Sequence, residues 1–167
     1  MLVPPLPDGR VRAVLRAPAA ALSSRSGEVD PVADEVVTLA ADLVATQRAA
    51  AGCVGLAAPQ IGVAARVFSV DVTGHPKTRQ CHGLVVLVNP VVEAASRSER
   101  AREGCLSVPD LTGDVRRPGR LRISGLLPGS GAVVTLETDA FEARAFQHEI
   151  DHLDGLLFLD RVTGAHA

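Results

Sequence analysis

The strongest concentration of reactive side chains in this sequence is His148-Glu149-Ile150-Asp151-His152. Residues four apart on a helix share a face, so His148 and His152 can reach one cation. Glu149 flanks the same face and can meet a water at that cation without ligating it. This is the H-E-x-x-H arrangement of metal-assisted hydrolysis. A catalytic metal usually has three protein ligands and one open position. Downstream stand only Asp154, Asp160 and His166, and His166 falls in a tail expected to fray. The third ligand is therefore expected from upstream, and Cys105, within Glu103-Gly104-Cys105-Leu106-Ser107, is the best candidate. A thiolate with two imidazoles suits Fe(II), Zn, Co or Ni. Gly104 permits close approach, and Glu103 can orient a ligating histidine through its second ring nitrogen. A third constellation runs from Cys53 to Gly62, where small residues bring backbone close to a ligand. Its Gln60 offers an amide N–H₂ that can polarise a carbonyl.

These residues need elements to hold them. The chain has 167 residues, 17.3 kDa, which suits one domain over 1–167 with flexible ends at 1–13 and 163–167. A hydrophobic fraction of 47% excludes a disordered tail. A net charge of −2 gives no field for DNA. No apolar run approaches the ~18 residues of a membrane span. Three cysteines and no evident secretory signal point to reduced thiols in a cytoplasm. The spacing of Val32, Val36, Leu39, Leu43 and Thr46 predicts a helix capped by Asp30, opened by Pro31 and running to about Ala50. Strands are expected at 66–72 and 84–88, the second closed by Asn89-Pro90, with a further strand at 91–95. Another at 120–126 pairs with 132–136 across Pro128-Gly129-Ser130-Gly131. The last helix, 140–154, carries the histidines, with Asp139 and Glu142 as a capping box. Helix, many strands, helix favours α+β with antiparallel sheets.

Three segments in this order resemble the peptide deformylase family: the Gly-rich stretch 54–60 ending in Gln, Glu-Gly-Cys-Leu-Ser at 103–107, and Gln-His-Glu-x-x-His at 147–152. Asn89-Pro90, Ala143-Arg144 and 157–161 agree as well, so the resemblance covers residues 14–162. It implies antiparallel sheets packed around the motif-bearing C-terminal helix, with one N-terminal helix. It implies a metal held by Cys105, His148 and His152: Fe(II) in the cell, with Zn, Ni or Co in purified protein. The implied reaction removes the formyl group from N-formyl-methionyl nascent chains. A metal-activated water attacks the formyl carbonyl and Glu149 serves as general base, then acid. Gln60 and the Leu106 backbone N–H would stabilise the oxyanion. The peptide would add as a strand against Val54, Gly55 and Gly104, with Phe141 and Ala145 shaping a methionine pocket. The implied partners are this formyl peptide and, transiently, the ribosome, with no membrane and no specific DNA.

Two positions depart from the family. Cys53 stands where Gly is usual, and Ala140 where many members have Gly, a change expected to be neutral at a helix start. Arg117, one of four arginines at 116, 117, 120 and 122, is expected to pair with Glu103 or Asp151. His75, Cys81 and His82 share a loop and read as exposed residues rather than a second metal site. A zinc peptidase shares the histidine motif but lacks a downstream third ligand here. A deformylase-like binding module without activity is expected to have lost Glu149, Cys105 or Gln60, and all three are present.

Overall fold

A computed structural model describes residues 2–163. Two helices, α1 (Asp34–Ala49) and α2 (Ala140–Leu153), flank a five-stranded sheet. Its strands are β1 (Gly55–Ala57), β2 (Val67–Val70), β3 (Val85–Ala95), β6 (Arg120–Leu126) and β7 (Val133–Asp139), all antiparallel in the order β1-β2-β3-β6-β7. A separate hairpin joins β4 (Ser98–Cys105) to β5 (Val108–Pro118). The α+β class with antiparallel sheets is as the sequence predicts.

Alternation explains the layering. Successive strand residues face opposite sides. Val67, Val86 and Val88 pack with Val36, Leu39 and Leu43 of α1, whereas Phe68, Val70, Val85 and Leu87 pack with Ala143, Phe146 and Leu153 of α2. Both faces of β2 are thus buried, and Leu43 and Phe146 are wholly inaccessible. Truncating either to Ala would cost roughly 2–5 kcal/mol. This sandwich is the rigid base on which the histidines of α2 stand.

Several boundaries differ from expectation for identifiable reasons. Helix α1 starts at Asp34, because the Asp30 carboxylate accepts the Val32 N–H at 3.1 Å in a preceding turn. Strand β3 does not stop at Asn89-Pro90. Asn89 takes a left-handed φ of 51°, and its side chain exchanges hydrogen bonds with Val29 N–H and C=O, so the strand bulges and continues. The capping box at α2 is absent. Glu142 turns instead to Thr138 and His82, and Ala140 has φ 49°. That left-handed conformation is disfavoured for a residue with a Cβ, so Ala140 is not the neutral change expected.

The N-terminal stretch expected to be loose is anchored where it passes α1. Arg10 N–H donates to Asp42 at 2.8 Å and Arg12 N–H to Thr46 at 2.9 Å. At Gly9 an added Cβ would sit 2.0 Å from the Ala41 carbonyl oxygen, so the chain lies directly on the helix. Residues 164–167, and with them His166, lie outside the described residues.

Candidate metal centre and active site

The last helix presents Arg144, His148 and either Asp151 or His152 at three- and four-residue spacing, toward the β4–β5 hairpin. Cys105 ends β4, just before the turn that leads into β5. The ligand atoms of Cys105, His148 and His152 lie within 4.8 Å of one another, the one such group among the described residues. Cys105 Sγ is 3.3 Å from His152 Nε2. Nδ1 of His148 is engaged by Glu103 Oε1 at 3.0 Å, which fixes the ring through its second nitrogen. The two imidazoles that the spacing predicts and the thiol of the candidate third ligand are thus brought together, and one thiolate with two imidazoles fits a divalent transition metal.

Glu149 is 3% exposed, and its Oε1 finds no hydrogen-bond partner among the described residues. Burial pushes its carboxyl from the usual 4.5 to about 7, against the pull of His148 and Arg117. It can hold or release a proton near neutral pH. Gly55 lies close against it: a Cβ there would meet Glu149 Oε2 at 2.6 Å, so a larger residue would displace the carboxylate. Gly104 has only ordinary neighbours, with Thr112 Cγ2 at 3.5 Å from a built Cβ.

Gln60 is buried in a 3₁₀ turn after β1. Ala57 N–H donates to its Oε1 at 3.0 Å, which fixes which end of the amide points into the site. Its Nε2 then donates to Ser107 Oγ at 3.1 Å and to Cys105 Sγ at 3.6 Å. Leu106 lines the same cleft, which has a volume of about 500 Å³ and also holds Val54, Phe141 and Ala145. Every predicted site residue except His152 borders this cleft, and His152 lies beneath it, 1% exposed.

Beneath the ligands runs an ion-pair chain that the sequence showed only in part. Arg117 is 3% exposed, a buried cation. It donates to Glu103 at 2.6 and 3.0 Å and to Asp151 at 2.8 Å, so it serves both expected partners. Asp151 in turn accepts from Arg161 at 2.6 and 3.0 Å. Arg144 reaches Glu103 at 3.2 Å and the Val115 carbonyl at 2.6 Å. Although burial opposes its charge, the bonds from His148 and Arg117 hold Glu103 down at about 2. Ser107 and Arg144 had no assigned role; Arg144 could have been found by its position one helical turn before His148.

Cys53 also borders the cleft. Its S–H donates to the Gly55 carbonyl at 3.2 Å, and burial pushes the thiol up to about 11. It is a protonated, packed cysteine at neutral pH. His75, Cys81 and His82 make no joint cluster: His75 stacks on Phe141, His82 pairs with Glu142, and Cys81 contacts Thr73.

Known proteins resemble this chain in sequence and in fold. The family profile described as Polypeptide deformylase matches residues 11–167. A peptide deformylase of Halothermothrix orenii is 42% identical over 142 residues, covering 85% of this chain and 87% of that one. The crystal structure of peptide deformylase from Ehrlichia chaffeensis superposes with a TM-score of 0.85 at 30% identity, over 92% of this chain and 89% of that one. A Met-Ala-Ser-bound structure of the Acinetobacter baumannii enzyme superposes with a TM-score of 0.83 at 32% identity, over 91% and 99%. With likeness in sequence and in structure across nearly the whole length, the chain belongs to the polypeptide deformylase family, metal-dependent hydrolases that take the formyl group from N-formylated chains.

Proposed function

We propose that the protein deformylates N-formyl-methionyl peptides with Cys105, His148 and His152 holding Fe(II), and with Glu149 moving the proton. The observation that carries this reading is the group of three donors within 4.8 Å beside a buried carboxylate oxygen that lacks a partner. A bound divalent cation supplies Lewis acidity, lowering the pKa of water and polarising the formyl carbonyl. The chain's own residues supply the rest. Glu149 Oε1 accepts the proton of the attacking water and returns it to the departing amine. A carboxyl poised near 7 suits both transfers at neutral pH. Gln60 turns the N–H now on Cys105, the longer of its two contacts, toward the developing oxyanion, with the Leu106 N–H as second donor.

The peptide adds to the free edge of β1 at Gly55, with Gly104 opposite. Its first side chain enters between Val54, Phe141 and Ala145. The substrate emerges from the ribosome, so contact there is transient and the working compartment is the cytoplasm. The three free cysteines agree with a reducing compartment, and no helix among the described residues is long and apolar enough to cross a membrane.

Formate release from formyl-Met-Ala-Ser, measured anaerobically with Fe(II) supplied, tests the reading. Glu149→Gln is expected to lower kcat by about 10²–10⁴ while metal content stays the same. A folded, metal-loaded parent that releases no formate would refute it.

A further inference from the structure

The loop between β2 and β3 carries His75 and His82, neither of which belongs to the metal centre. Both reach the first turn of α2. His75 lies flat on Phe141, with ring centroids 3.9 Å apart and planes 2° from parallel. The Lys77 N–H donates to His75 Nδ1 at 3.2 Å, so the ring is held by its own backbone as well as by the stack. His82 grips the next residue of the helix. Its N–H donates to Glu142 Oε2 at 2.8 Å, and its Nδ1 lies 2.5 Å from Oε1. Glu142 is wholly buried, and Thr138 Oγ1 donates to Oε1 at 2.6 Å. A carboxylate taken out of water must have partners. Two of its three come from His82, so the buried carboxylate dictates where this otherwise exposed loop sits.

The position matters because His75 and Phe141 both line the cleft in front of the metal ligands. We propose that His75 is a specificity-determining residue: with Phe141 it forms the wall that receives the substrate's first side chain, and the His82–Glu142 clasp is the positioning device for that wall. This rests on the deformylase reading and names a contact within it. A flat aromatic surface suits a polarisable thioether side chain. Holding it in place beforehand spares the ordering cost that a loose loop would impose on binding.

The test compares formyl-Met-Ala-Ser with formyl-Ala-Ala-Ser on the metal-loaded parent, His75→Ala, His75→Phe and His82→Ala, each checked for folding by thermal melting. His75→Ala is expected to cut the preference for the methionyl peptide in kcat/KM by about three- to tenfold. The loss should lie in KM, with kcat on that peptide within about twofold of the parent. His75→Phe restores the preference, and His82→Ala loses it in the same direction. An unchanged preference in His75→Ala overturns the proposal, as does an equal loss of kcat on both peptides. His82→Ala matching the parent overturns the clasp. A parent inactive on both peptides removes the deformylase reading itself, whereas an active parent with unchanged preference removes only this inference.

Discussion

Glu103 Oε1 lies 3.0 Å from Nδ1 of His148, and the same carboxylate takes two hydrogen bonds from the buried guanidinium of Arg117. One residue of β4 thereby orients the His148 ring on α2 and ties the hairpin to the helix. Held at about 2, Glu103 stays ionised throughout the working range and is always available to the histidine. Glu103→Ala is expected to weaken metal binding by about 10–100-fold, as loss of a carboxylate behind a ligating histidine does elsewhere. Competition against a chelator of known affinity reads this directly. An unchanged affinity would mean that packing alone orients His148.

Arg117 is the keystone of the same chain. It sits between Glu103 and Asp151 with 3% of its surface exposed. Arg117→Ala leaves two buried carboxylates facing each other without their shared cation, a loss expected at about 3–5 kcal/mol. Arg117→Lys should recover only part of it, since an ammonium cannot bridge both carboxylates in the planar fork of a guanidinium. Urea denaturation of the metal-loaded protein measures both. A loss under about 1 kcal/mol for Arg117→Ala would show the pair to behave as a surface bridge.

Glu149 makes a prediction with a definite sign. Its folded-state pKa of about 7 lies above the usual 4.5. Between these values the folded metal-free protein binds this proton more tightly than the unfolded chain. The stability this contributes is fully present below pH 4.5 and is lost as pH rises through 7. Glu149→Gln removes the titration. In metal-free protein it should therefore be more stable than the parent at pH 8, by up to about 3 kcal/mol, with no such gain at pH 4. Melting curves at the two pH values decide it; equal differences at both would contradict a raised pKa.

The parts most legible in the sequence are those where one residue type at one spacing has few uses. The spacing of His148 and His152, which the fold brings together with Cys105, and the apolar alternation of β2 needed no tertiary knowledge. The β4–β5 hairpin escaped because charged residues interrupt it: Arg100, Arg102 and Arg116 carry no apolar alternation, and the strands pair with each other. Cap assignments failed where a polar side chain had two uses. Asp30 closes a turn before α1, and Glu142 serves a loop 60 residues away in sequence in place of its own helix end. Arg117 could be guessed as a partner of Glu103 or Asp151, but only the folded chain shows one guanidinium satisfying both.

Ala140 offers the simplest test of stored strain. It stands at the junction of β7 and α2 with φ 49°, a conformation that costs a residue with a Cβ roughly 1–2 kcal/mol. The turn is fixed from both sides: Ala140 N–H donates to the Gly119 carbonyl at 2.9 Å, and Glu142 two residues later is buried against Thr138 and His82. The backbone therefore cannot relax to suit the side chain. Ala140→Gly removes the steric term but gives the unfolded chain more freedom, worth about 0.4–1 kcal/mol in the opposite sense. The net expectation is a gain of about 0.5–1 kcal/mol, seen as a higher denaturation midpoint with an unchanged m-value. Because Ala140 adjoins Phe141, kcat/KM on the formyl-methionyl peptide is the second readout. An unchanged value with raised stability would show that the strain serves no catalytic purpose, and a fall would show that the stiff junction helps to hold the Phe141 wall in place.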